Sequence, residues 1–134
     1  MFSDAYYLLV VDDNPEVCRL LADFLQDEGY AVKKAYNGDQ AISAIRAQIP
    51  SMILIDVNMS DKKGLDILRE VQDLVSGVPV FIITDNVKPD MIAEAKKMGL
   101  ARYFISKPFD VFSLIQMITQ FVPALPRVLA MPVH

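Results

Sequence analysis

At 134 residues the chain has the length of one domain, long enough to bury roughly two thirds of its unfolded surface. Its hydrophobic fraction is 53%, yet no apolar stretch approaches the ~18 residues of a membrane span, and no basic segment precedes the first apolar run as a secretory signal requires. A single cysteine, Cys18, excludes an intrachain disulfide, and a formal net charge of −4 without a block of Lys or Arg argues against direct nucleic-acid binding. A cytoplasmic domain is the expectation. The lone histidine, His134, is the last residue and reads as a frayed end rather than a ligand.

Five short apolar runs alternate with helix-like segments. Tyr6–Val11 is uninterrupted, as expected of a strand covered on both faces. Asp13 or Asn14 can cap the helix that follows, and Pro15 suits its first turn. Val17, Leu20, Leu21, Phe24 and Leu25 then recur at helical spacing until Gly29. Cys18 lies beside that stripe and reads as a core thiol. Ala31–Ala35 is a more polar second strand, expected at an edge. Asn37-Gly38 reads as a turn, and Ala41, Ile42, Ile45 and Ile49 as a second helix closed by Pro50.

Met52–Ile55 is the third strand. After a polar loop, Leu65, Leu68, Val71 and Val75 mark a third helix, and Val78–Ile83 the fourth strand. Pro89 opens a fourth helix, with Ile92, Ala95 and Met98 inward and Gly99 behind it. Tyr103–Ser106 is the fifth strand, and Val111, Leu114, Ile115, Ile118 and Phe121 the fifth helix. This alternation predicts an α/β fold, a parallel sheet with helices on both faces. The tail from Val122, with three prolines, is not expected to be helical.

Ligands of open parallel sheets bind beyond the carboxyl ends of the strands. Asp12 and Asp13 follow the first strand, Asp56 the third, Thr84 the fourth and Lys107 the fifth. Two unit charges 4 Å apart repel by about 1 kcal/mol in water and about 4 kcal/mol at an effective dielectric of 20. Three carboxylates gathered at one rim therefore call for a cation or for raised pKa values. Oxygen-only ligands suit Mg²⁺, so Asp12 and Asp13 are expected to hold it near Asp56. A carboxylate beside a divalent cation, an amine and a hydroxyl is also a competent phosphoryl acceptor.

Four stretches in order, "VVDDN", "ILIDVNMSDKKG", "FIIT" and "ISKPF", carry a resemblance from about Leu8 to Phe121. The chain resembles the receiver domains of two-component response regulators, the CheY-like superfamily. The resemblance implies a flavodoxin-like (βα)5 doubly wound parallel sheet of strand order 2-1-3-4-5. Residues 1–121 would form the receiver and residues 122–134 a proline-containing tail or linker. Asp56 would accept phosphate from a sensor histidine kinase or histidine phosphotransfer protein. Asp13, Asp56 and the backbone carbonyl of Asn58 would ligate Mg²⁺, with Asp12 helping through water. Lys107 would bind the phosphoryl group and Pro108 would keep the turn that aims it.

Further consequences of the resemblance concern switching. Thr84 would swing to the phosphoryl oxygen and an aromatic on the fifth strand would follow. That reshapes the surface of helix four, strand five and helix five, a surface that also admits a homodimer. The activity would be limited to the domain's own phosphorylation and dephosphorylation, with an output domain lying outside this chain. Asn58 and Asn86, two residues past the acceptor and the switch hydroxyl, stand where the family tunes the lifetime of the phosphate.

The sequence departs from the family in four places. Ser60 replaces the usual proline, a minor change. Asp85 replaces a small residue after the switch hydroxyl. Facing the site, it would oppose phosphorylation by about a kcal/mol or more and leave a pseudo-receiver that binds protein without being phosphorylated. The favoured alternative turns it to solvent or to the turn before Pro89, paired with Lys62 or Lys88. Thirdly, Gly99 to Lys107 is one residue longer than usual. The switch aromatic is then Phe104 counted from the lysine, the favoured register, or Tyr103 counted from the glycine; a loop insertion would absorb the difference. Lastly, the tail Val122–His134 runs past the usual end and reads as a linker to an output domain, a disordered end, or a segment packed on an apolar surface such as a second copy of the domain. A dehalogenase-type hydrolase, the remaining reading, needs a second acid where Asn58 stands.

Overall fold

A computed structural model of the chain describes residues 7–59 and 63–122. Tyr6, Ser60, Lys62 and the tail residues 123–134, to which expectations were attached above, lie outside the described residues. In chain order the elements are β1 (Leu8–Val11), α1 (Pro15–Asp27), β2 (Val32–Ala35), α2 (Gly38–Ala47), β3 (Met52–Asp56), α3 (Gly64–Glu70), β4 (Val80–Thr84), α4 (Pro89–Met98), β5 (Ala101–Ser106) and α5 (Val111–Phe121). All neighbouring strands pair in parallel, in the order β2-β1-β3-β4-β5. The expected flavodoxin-like order is the one found.

Period-two alternation explains why the central strands read as unbroken apolar runs. Leu9, Val11, Ile53, Ile55, Val80 and Ile82 face one layer, with Ala41, Ile42 and Ile45 of α2, Leu65, Ile67 and Leu68 of α3, and Ala95 of α4. Leu8, Val10, Met52, Leu54, Phe81 and Ile83 face the other, with Cys18, Leu21 and Leu25 of α1 and Leu114, Ile115 and Ile118 of α5. β2 lies at an edge, and Lys33 and Lys34 are exposed on it.

Local chemistry sets the helix ends. Asn14 caps α1, its side chain accepting from the Glu16 N–H at 3.0 Å, and Pro15 follows where no N–H is needed. Gly29, at φ 100°, turns the chain out of that helix, and Gly99, at φ 73°, does the same for α4. Asn37 departs from expectation. It does not make a turn with Gly38 but caps α2, accepting from Gln40 N at 2.8 Å, while Gln40 Oε1 accepts from Tyr36 N at 2.8 Å. Together the two side chains satisfy one backbone N–H on each side of the helix start.

The buried faces also differ in detail. On α1 the buried stripe is Cys18, Leu21, Ala22 and Leu25, and Leu20 is 43% exposed. That set satisfies the i, i+3, i+4, i+7 spacing; Cys18 is the core thiol expected, and Ala22 takes the place expected of Leu20. Ile49 is exposed because α2 ends at Ala47, before it. Val71 and Val75 are buried as expected, but on turns beyond the end of α3 rather than on the helix.

Candidate functional site

The parallel sheet delivers every strand's carboxyl end to one rim, and strand order reverses between β1 and β3. Asp12 and Asp56 stand at that reversal, both buried. Asp12 is held from three sides. Its N–H donates to Ala35 O at 3.1 Å, its Oδ1 accepts from Asn14 N at 2.9 Å, and its Oδ2 accepts from Lys107 Nζ at 2.8 Å. Asp56 is gripped the same way: Oδ1 accepts from Asn58 N at 2.8 Å and Oδ2 from Lys107 Nζ at 2.7 Å. One ammonium thus joins two buried carboxylates.

Asp13 lies exposed at the mouth, and one carboxylate oxygen from each of Asp12, Asp13 and Asp56 falls within 4.8 Å of the others. Three carboxylates this close together, offering donors that are all oxygen, fit a hard divalent cation.

Lys107 reaches the pair because its own backbone is anchored. Its N–H donates to Thr84 O at 2.8 Å, continuing the β4–β5 ladder, and its peptide bond to Pro108 is cis. Burial alone would lower its pKa, but the hydrogen bonds and charges of Asp12 and Asp56 outweigh this and hold it above the ordinary lysine value. The ammonium is therefore kept charged.

Thr84 is fully buried, and its Oγ1 accepts from Asn58 Nδ2 at 2.7 Å and from Asn86 N at 3.3 Å. Asp85 is exposed beside it, its Oδ1 3.4 Å from the same Asn58 amide nitrogen. Among the described residues no ion pair joins Asp85 to Lys88. Its polar neighbour is Asn58 instead.

The added residue between Gly99 and Lys107 is absorbed inside β5, not in a loop. Val80 pairs with Ala101 but Phe81 with Tyr103, so Arg102 is the extra residue of a β-bulge. Beyond the bulge, Phe104 sits opposite Ile82 and packs, half-buried, in the layer of α2, α3 and α4. Tyr103 points to the other layer. Its ring meets those of Phe81 and Phe121 edge-on, at centroid distances of 5.2 and 5.7 Å.

Two contributors were not legible in the sequence as site residues. One is the Asn58 side chain, noted there for its backbone carbonyl and its place in the family pattern. The other is Gly64, whose N–H donates to Val57 O at 3.2 Å. A Cβ at Gly64 would lie 2.8 Å from Val57 Cα and 2.9 Å from Asp56 O, so only glycine lets α3 start this close behind the end of β3. The signal available was the glycine that ends the stretch "ILIDVNMSDKKG".

Comparison with known proteins agrees with this geometry. The family described as response regulator receiver domain matches residues 8–119. Sporulation initiation phosphotransferase F of Bacillus subtilis is 30% identical over 116 residues, covering 87% of this chain and 93% of that protein. The transcriptional regulatory protein ZraR of Escherichia coli K12 is 36% identical over 114 residues, 85% of this chain but only 26% of ZraR, so the chain spans about a quarter of that relative's length. Among solved structures, the chemotaxis protein CheY4 of Vibrio cholerae superposes with a TM-score of 0.80 at 28% identity, covering 88% of this chain and 98% of its own. On the match over residues 8–119 and the fold it predicts, the chain belongs to the response regulator receiver domain family.

Proposed function

We propose that the chain is a phosphorylation-dependent signalling receiver that takes a phosphoryl group from a sensor histidine kinase or histidine phosphotransfer protein onto Asp56. The observation that carries this is the double contact of Lys107 Nζ with Asp56 Oδ2 and Asp12 Oδ2, at 2.7 and 2.8 Å, beside Asp13.

A carboxylate oxygen of Asp56 attacks phosphorus in line with the leaving imidazole nitrogen of the donor's phosphohistidine. The P–N bond breaks, its electron pair stays on that nitrogen, and a P–O bond to Asp56 forms. Asp12, Asp13, Asp56 and the Asn58 carbonyl would hold Mg²⁺, which when bound supplies positive charge against the phosphoryl oxygens. Lys107 gives its N–H donors to a phosphoryl oxygen and offsets the charge that arrives. The buried Thr84 hydroxyl then turns to the phosphoryl group. Phe104, packed in the α4 layer, follows and shifts the α4-β5-α5 surface, a population shift that a few kcal/mol of differential contact accomplishes.

In this reading residues 1–121 are the receiver and 122–134 a tail or linker, and the domain works in the cytoplasm. No described helix is long and apolar enough to cross a membrane. A homodimer through the switch surface is compatible with it.

The test is phosphoramidate with Mg²⁺, read by intact mass. A gain of about 80 Da that disappears in Asp56→Asn is the expected result. Absence of any gain in the folded protein, at millimolar Mg²⁺, would leave a protein-binding pseudo-receiver.

A further inference from the structure

The primary amide of Asn58 has two N–H donors, and each has an acceptor in reach. Thr84 Oγ1 lies 2.7 Å from Nδ2 and Asp85 Oδ1 lies 3.4 Å from it. A carboxylate accepts only, so Asp85 dictates that the NH₂ end of Asn58, not its oxygen, faces β4. The second lone pair of Thr84 Oγ1 is taken by Asn86 N–H at 3.3 Å. Thr84 is therefore held as an acceptor twice over while wholly buried, and leaving that position breaks the shorter bond.

We infer that Asp85 is a positioning residue: through the Asn58 amide it latches the Thr84 hydroxyl in its resting place, so that switching requires Asn58 to let go. The inference rests on the phosphoacceptor reading for its purpose but not for its geometry. It gives Asp85 a role other than electrostatic repulsion of the phosphoryl group, because the interaction needs an acceptor oxygen rather than a charge. There is room for release. A groove of about 300 Å³, lined among others by Asn58, Asn86, Lys88 and Met91, opens beside the amide.

The sequence contains two threonines, Thr84 and Thr119, so the threonine γ-methyl NMR spectrum has two signals, and Thr119 on α5 is the internal reference. The measurement uses the metal-free, unphosphorylated protein, so failure of Asp56 to accept phosphate would not touch it. The expected result has four parts. Asp85→Ala and Asn58→Ala each move the Thr84 methyl signal and leave Thr119 in place. Asp85→Asn, which keeps an acceptor oxygen and removes the charge, leaves Thr84 at its wild-type position. The double variant moves Thr84 no further than Asn58→Ala alone. The Asn58 side-chain amide protons exchange faster in Asp85→Ala than in the wild type. An unmoved Thr84 signal in Asp85→Ala, or one that moves as far in Asp85→Asn as in Asp85→Ala, overturns the inference. Asp85 is exposed, so neither variant threatens the fold, and backbone amide spectra check this.

Discussion

Lys107 and Asp56 are 51 positions apart in the chain, and their charged groups are 2.7 Å apart in the folded protein. The same ammonium also bonds Asp12, 95 positions away, at 2.8 Å. Removing it leaves two buried carboxylates facing each other with no cation. Lys107→Met, which keeps the apolar stem, should therefore cost about 2 kcal/mol at neutral pH, below the full value for a buried pair because the lysine side chain is 22% exposed. Urea unfolding in chelator reads this. Millimolar Mg²⁺ should restore part of the loss, and an unchanged midpoint would mean that the ammonium does not hold the pair together.

Alkaline pH should unfold the protein progressively, and the sign is the same for four groups. Burial, and then the charge of Asp12, push the Cys18 thiol up to about 11. Burial pushes the Tyr7 and Tyr30 phenols up to about 12, and Lys107 is raised as well. A group whose folded value lies above its unfolded value contributes fully below the unfolded value and loses that contribution as pH climbs through the folded one. Stability should thus fall from pH 9 upward, with Cys18 alone accounting for about 2 kcal/mol by pH 11. Urea midpoints at pH 8, 9.5 and 11 check this, and Cys18→Ala should show a shallower slope over the same interval.

Gly64→Ala forces a methyl group against backbone atoms that cannot swing aside, Val57 Cα at 2.8 Å and Asp56 O at 2.9 Å. The start of α3 must move, at a cost of about 2 kcal/mol. Because the displaced carbonyl belongs to Asp56 itself, phosphorylation by phosphoramidate should slow along with the drop in urea midpoint. A variant as stable and as reactive as the wild type would show that the loop has slack there.

The bulge at Arg102 makes a prediction about which ring moves. Phe104 faces the α4 layer and Tyr103 the Phe81–Phe121 pair, on opposite sides of β5. On addition of phosphoramidate and Mg²⁺, ring resonances of Phe104 should shift, and those of Tyr103 should stay close to their starting positions. The reverse pattern would assign the switch to Tyr103.

The sequence by itself determined the kinds of element and their order. Apolar runs bounded by Asp, Asn, Pro and Gly are local signals, and they marked five strands and five helices with the chemistry-bearing side chains at the strand ends. Because parallel strands all point one way, that list already implied Asp12, Asp13, Asp56, Thr84 and Lys107 on one rim. What only the tertiary structure decided depends on neighbours distant in the chain. Which face of α1 is buried is one such point: Cys18, Leu21, Ala22 and Leu25 face the sheet and Leu20 does not. The extra residue before Lys107 became a bulge because β4 pairs with β5 on both sides of it. The Asn58 amide found Thr84 and Asp85 only once β3 and β4 lay side by side. Periodicity and capping are encoded within a few residues, whereas register and side-chain partners are set by packing of the whole sheet. The latter could be read only from the folded chain.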